Sequence, residues 1–180
     1  TEGWAVGNLG SLVILNTTVS GNSGIGVVGL GGLLSISHST IAENGNDGLV
    51  ASGGSDVFSN IANVIVASNG VRNCSFSIGS SSTTPPLAGM NIATDDSCGF
   101  PDVYSPAELA LDGLADNGGP TETHALLSES PAIDAATGSC PATDQRNAPR
   151  PVGLSCDVGA YEAGAVPLAL EESDIIIGTP

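Results

Sequence analysis

The stretch 141–162, PATDQRNAPRPVGLSCDVGAYE, gathers residue types that do chemistry: Asp144, Arg146, Arg150, Asp157, Tyr161 and Glu162, with Cys156 among them. Two of the chain's three cationic side chains lie here. Paired carboxylates offer a general acid and a general base, and an arginine beside them would bind an acidic sugar. The same set has a structural use, because the arginine fork matches carboxylates in bidentate pairs. Asp144 and Arg146 lie two apart and share a face if the backbone is extended. Pro151 favours such backbone at Arg150. The structural reading is preferred: Asp144, Arg146, Arg150, Asp157 and Glu162 form ion pairs that fasten the end of the fold, and no catalytic residue is assigned.

The remaining polar positions carry weaker signals. His38 falls where the preceding repeat has Asn16 or Thr17 and reads as a surface residue. His124, in TETHALL, reads as a strand residue near the core. Asp112, just before the turn LADNGGPT, and Asp116, within it, could bind Ca²⁺ with nearby carbonyls, although no cofactor is expected. SPAE at 105–108 has the Ser, Pro and Glu of a helix start, and Gly113 and Asn117 would close that helix. NTT at 16–18 and NCS at 73–75 match the glycosylation acceptor pattern.

Composition limits the elements that can hold these residues. The chain has 180 residues, enough for one domain with a core, and 25 are glycine. Aromatics make up 3%, so the core must come from Val, Ile, Leu and Ala. Many short strands between tight turns suit this better than long helices. Lysine is absent, and 19 acids against three Arg give a net charge of −16. Nucleic-acid and anionic-lipid partners are excluded on that balance, since phosphate binding needs clustered Lys and Arg. No apolar run reaches the roughly 18 residues of a membrane-spanning helix. The opening TEGWAVG reads as a mature or truncated start.

The four cysteines fall as two local pairs, Cys74 with Cys98 and Cys140 with Cys156. Three connectivities exist in principle. The sequential one is favoured, because each pair flanks a Ser- or Pro-rich, loop-like stretch. No CxxC spacing supports metal binding. Disulfides imply export, to the cell surface or outside.

Repeats decide the architecture. LNTTVSGNSG at 15–24, SHSTIAENGN at 37–46 and NVIVASNG at 63–70 align on Val19, Ile41 and Val66, at spacings of 22 and 25 residues. Each is followed three residues later by an asparagine: Asn22, Asn44 and Asn69. A period of this size means stacked units. The alternation in SLVILNTTV and LLSISHSTI is that of strands. The expected fold is all-β: a right-handed parallel β-helix of roughly four to six coils, stacked about 4.8 Å apart. An irregular, disulfide-braced C-terminal part follows. The asparagines would stack at one corner. The predicted core is Leu12, Ile14, Val19, Ile25, Val27, Leu34, Ile36, Ile41, Leu49, Ile61, Val64 and Val66.

The repeats, followed by NCSFSIGSSS, GMNIATDDSCGF, LADNGGPTETHALLSESPAIDA and CPATDQRNAPRPVGLSCDVGAYE, resemble the choice-of-anchor Q family of bacterial exported β-helix surface proteins. The resemblance covers about residues 11–162. It implies an exported β-helix and no established reaction. After GAYE the chain continues as AGAVPLALEESDIIIGTP, where neither a sortase motif nor an anchor helix is found. The organisation expected is 1–73 as β-helix coils, 74–162 as a C-terminal β-helix region with two disulfide loops, and 163–180 as an extension. In that extension Ile175, Ile176 and Ile177 form a strand that could be donated to a neighbour.

Two functions are expected to compete. The first is a non-catalytic extracellular structural or adhesive protein, self-associating through β-helix ends or the C-terminal strand into head-to-tail filaments, with cell-surface glycans as further partners. The second is a carbohydrate-active enzyme, a polysaccharide lyase or hydrolase, or a carbohydrate-binding module. A lyase on this scaffold resembles its relatives only with carboxylates beside a Lys or Arg base on a middle coil. The repeats carry no Lys or Arg before Arg72.

Overall fold

The computed structural model describes residues 3–53, 58–78 and 86–168. Its strands are short because each must turn inward after a few apolar residues. The first coil is β1 (Trp4–Asn8), β2 (Leu12–Leu15) and β3 (Thr18–Ser20), and the second is β4 (Ile25–Gly29), β5 (Leu34–Ser37) and β6 (Thr40–Ala42). The third is β7 (Leu49–Gly53), β8 (Phe58–Ala62) and β9 (Ile65–Ala67). A fourth, less regular turn is β10 (Cys74–Ile78), β11 (Leu87–Ala88) and β12 (Ile92–Ala93), to which β13 (Asp102–Val103) adds. Like strands of successive coils pair in parallel, giving three sheets: β1-β4-β7-β10, β2-β5-β8-β11 and β3-β6-β9-β12-β13. The fold is a parallel β-helix.

Register follows the sequence period. Val19, Ile41 and Val66 are direct partners, as are Ile14, Ile36 and Ile61, and Val27 with Leu49. These side chains form one buried cluster inside the coils. Full burial of each such side chain is worth about 1.5–3 kcal/mol. Of the predicted core, Leu12 and Ile25 are only half-buried, and the other ten positions are buried. Leu12 packs against the cluster from the first coil, where no coil lies on its far side in the described residues.

Two corners turn through left-handed backbone. Asn16, His38, Asn63 and Gly89 have φ of 47°, 43°, 55° and 64°, one per coil. Gly21, Glu43 and Ser68 repeat the device after the third sheet, at 68°, 55° and 54°. Asparagine and glycine enter this region most easily, which explains their placing in the repeats. A third position carries the asparagine stack. Asn22 Nδ2 donates to Asn44 Oδ1 at 2.8 Å, Asn44 Nδ2 to Asn69 Oδ1 at 3.0 Å, and Asn69 Nδ2 to Asn73 Oδ1 at 3.1 Å.

The outer face of the third sheet is covered by the C-terminal part. Ala42, Ile65, Ala67 and Ile92 pack there with Leu109, Leu126, Ala132, Ala136, Cys156 and Val158 in a second cluster. Helix α1 (Pro106–Leu109) starts in a capping box, with Ser105 Oγ accepting from Glu108 N and Glu108 Oε2 accepting from Ser105 N. It ends earlier than the Gly113 and Asn117 expected from sequence: Ala110 is left-handed, with φ 49°, and the chain passes into β14 (Leu111–Ala115). That strand pairs antiparallel with β15 (Thr123–Leu126). Buried Leu109 and the Leu111–Leu126 pairing fix the early stop. Both local disulfides are present: Cys74–Cys98, with Cα atoms 4.7 Å apart, and Cys140–Cys156, at 6.0 Å. Stacking runs on through β10–β13, so the parallel β-helix continues past residue 74.

Candidate functional site

The charged cluster of 141–162 is closed and dry. Asp144, Arg146, Arg150, Asp157 and Glu162 are all buried, with Asp157 and Glu162 at 0% exposure. Residues 144–147 do not form an extended strand. Asp144 accepts from Arg146 N at 2.8 Å and Ala148 N at 3.0 Å, so a tight turn replaces it. That turn brings the Arg146 fork back onto Asp144 Oδ2 at 2.9 and 2.7 Å. Arg146 also donates to the carbonyls of Glu162 (2.7 Å) and Asn117 (3.2 Å), and its guanidinium stacks 3.7 Å over Tyr161. Arg150 lies 3.5 Å from Glu162 Oε2 and donates to the carbonyls of Asp157 and Gly159 at 2.9 and 2.8 Å.

The third acid departs from the expected pairing. Asp157 takes no arginine; it accepts backbone N–H from Asp134 and Ala163. Burial, the largest influence, pushes its carboxyl up to about 6. Burial also lowers Arg150, against the pull of Glu162 and its neighbours. Glu162 accepts from Val152 N at 2.6 Å and Asp157 N at 2.9 Å, and its own N–H reaches Asp144 Oδ2 at 3.0 Å. Each oxygen of Asp144, Asp157 and Glu162 therefore accepts a backbone N–H. General acid–base work needs a carboxyl within reach of substrate, and these three are turned onto the main chain.

A groove of about 400 Å³ lies elsewhere. One wall is the outer side of the second sheet, with Leu15, Ser37, Asn60, Ala62 and Ala88; the other is residues 137–141. Among the described residues no lining residue is an acid, a lysine or an arginine, in a chain of net charge −16. His38 and Asn63 lie between the two walls. The expectation that His38 is a surface residue fails: it is 3% exposed. The C-terminal part folds over its corner, with Asn16 Nδ2 donating to Thr143 O at 2.7 Å and Asn63 Nδ2 to Thr137 O at 3.0 Å. Burial first, and then the charge of Arg150, lowers His38 to about 4.

His124 is on β15 and buried, as expected. Its Nδ1 faces Asp112 O at 2.7 Å, so that nitrogen carries a proton, and Nε2 is hydrogen-bonded to Ser20 Oγ at 2.7 Å. The contact ties the β14–β15 hairpin to the first coil, and Ser20 does not line the groove. Asp112 and Asp116 each cap their own turn, accepting from Gly113 N and Gly118 N. Among the described residues no group of three or more His, Cys, Asp or Glu is placed to hold a metal. Asn73, in one acceptor triplet, is 1% exposed and donates to Thr94 Oγ1 at 2.9 Å. Ile175, Ile176 and Ile177 lie outside the described residues.

Asn60, Asn63, Thr137, Ser139 and Ser20 were not singled out from sequence. A signal existed for one of them: Asn16, His38 and Asn63 carry the same 22- and 25-residue spacing as the core repeat. No family model, curated protein or solved structure matches the chain. No helix among the described residues is long and apolar enough to cross a membrane.

Proposed function

We propose that the chain is a non-catalytic structural or adhesive module of an exported surface protein, as its resemblance to the choice-of-anchor Q family implies. One observation carries the reading. The residues with the greatest chemical potential, Asp144, Arg146, Arg150, Asp157 and Glu162, are turned inward and hydrogen-bonded to backbone. They tie segments of the C-terminal part to one another and present no reactive group to a ligand. Two disulfides support export.

Self-association is part of this proposal. β1, β2 and β3 are each the last strand of their sheet, with one backbone edge unpaired among the described residues, and such edges template further strands. The donor is the 175–177 strand of a neighbour. Electron micrographs and sedimentation of the chain with and without residues 171–180 test this. Assemblies that shorten or vanish on truncation support it; a full-length chain that stays monomeric at high concentration overturns it. The enzyme alternative is met by incubation with neutral and acidic polysaccharides. Release of reducing ends or of unsaturated sugar would replace the structural reading.

A further inference from the structure

The wall of the groove formed by residues 137–141 is fastened to the coils through one amide. Asn63 Oδ1 accepts from Met90 N at 3.0 Å and Thr137 N at 3.1 Å. Its Nδ2 donates to Thr137 O at 3.0 Å and meets His38 Nε2 at 3.2 Å. The amide cannot be turned over, because its NH₂ would then face two N–H donors. His38 Nε2 is therefore the acceptor, and the neutral ring carries its proton on Nδ1. Thr137 is held at both its N–H and its C=O by this one side chain.

We propose that His38 is an acid-sensitive key of the groove: a proton taken from solvent onto Nε2 turns that acceptor into a donor against Asn63 Nδ2, breaks the clamp on Thr137 and releases residues 137–141. The Asn63 amide then has donors on both sides of the contact and cannot keep all its bonds. Rotation that relieves the clash gives up Thr137. The charged side chain facing His38 is Arg150, from the C-terminal part; behind it stands Glu162, 3.5 Å away. The coil neighbours at the same corner, Asn16 and Asn63, are uncharged. An added positive charge beside Arg150 therefore finds no acid directly opposite it among the described residues, and the released wall is its relief. Burial holds the ring neutral down to about 4, so the groove stays walled at neutral pH and opens in acid. The wall remains tethered through Cys140–Cys156, whose Cys156 is buried.

The test is a nuclear magnetic resonance titration of the full chain from roughly pH 7 to 3, following the His38 ring and the Thr137 amide together. Both are expected to move with one midpoint near 4, with loss of hydrogen-exchange protection at Thr137. In His38→Asn, which places at this corner the residue of the coils on either side, the Thr137 step is expected to disappear. A Thr137 amide that stays protected while His38 titrates overturns the proposal. So does a step with the same midpoint in His38→Asn. Should that variant fail to fold, the two wild-type midpoints alone decide: a difference between them rejects the coupling.

Discussion

The coils and the C-terminal part satisfy their polar groups by different rules. In the coils a group bonds to its own counterpart one turn away, as Asn22 does to Asn44 and Asn44 to Asn69. In the C-terminal part each group has a partner used once. Asp144 binds Arg146 and the N–H of Glu162, and Glu162 binds the N–H groups of Val152 and Asp157. Repetition spreads a defect over equivalent neighbours. A unique network concentrates it, because losing one member leaves a buried charge with nothing to replace its partner.

The largest expected effect follows from that contrast. Arg146→Ala strips Asp144 of its arginine and leaves the Glu162 carbonyl with only the longer bond from Ala165 N at 3.3 Å, both in dry surroundings. A loss of about 3–5 kcal/mol is expected, read by chemical denaturation. Conservative Arg146→Lys rescues little, since one ammonium cannot replace the fork. An unchanged melting temperature in Arg146→Ala would put the cluster outside the stabilising network and end the contrast.

Next is the disulfide that staples the last, irregular turn of the coils. Cys74 starts β10 of the coils, and Cys98 ends the 3-10 turn after β12. Replacing both by alanine frees the loop between them in the unfolded chain and is expected to cost about 3 kcal/mol. Peptide mapping under non-reducing conditions checks the pairing independently; crossed pairs would reject it.

This contrast also decides what the sequence revealed. The stacking of Val19, Ile41 and Val66 was legible because a period shows in the letters alone, and so was the asparagine stack three residues on. The disulfide pairing was legible because each pair is local. His38 was misread as exposed because the chain that covers it comes from residues 137–143, about a hundred positions away, and no period announces such a contact. The turn at Asp144 was misread for a related reason: a spacing of two suits a strand and an Asx turn alike, and the choice is made by Ala148 N and Glu162 N. The groove was invisible, since its walls come from both regions.

A third prediction tests the repeated rule. Asn44, 1% exposed, bonds to rungs on both sides and to the carbonyls of Val19 and Ala42. Asn44→Ala leaves those buried groups unpaired and is expected to cost about 2 kcal/mol. Asn22, at the half-buried end of the stack, is expected to cost clearly less when changed to alanine. Equal losses at the two positions would show that the asparagines act singly and not as a ladder.

The smallest net effect is a pH dependence whose two parts oppose each other, one from each region. His38, in the coils, is lowered from 6.5 to about 4. Its contribution to stability is fully present above 6.5 and is lost as pH falls through about 4. Asp157, in the C-terminal part, is raised from 3.8 to about 6. Its contribution is fully present below 3.8 and is lost as pH rises through about 6. Between these limits the wild-type slopes largely cancel, so the parts must be separated by difference. The melting temperature of wild type minus that of His38→Asn is expected to rise with pH across this window. Wild type minus Asp157→Asn is expected to fall across it, because asparagine stays uncharged where the aspartate ionises. Differences of the same sign would mean that the two burials do not act on folding as argued. A flat His38 difference would mean that the ring keeps its proton balance unchanged on folding, and would remove the basis for an acid-released groove wall as well.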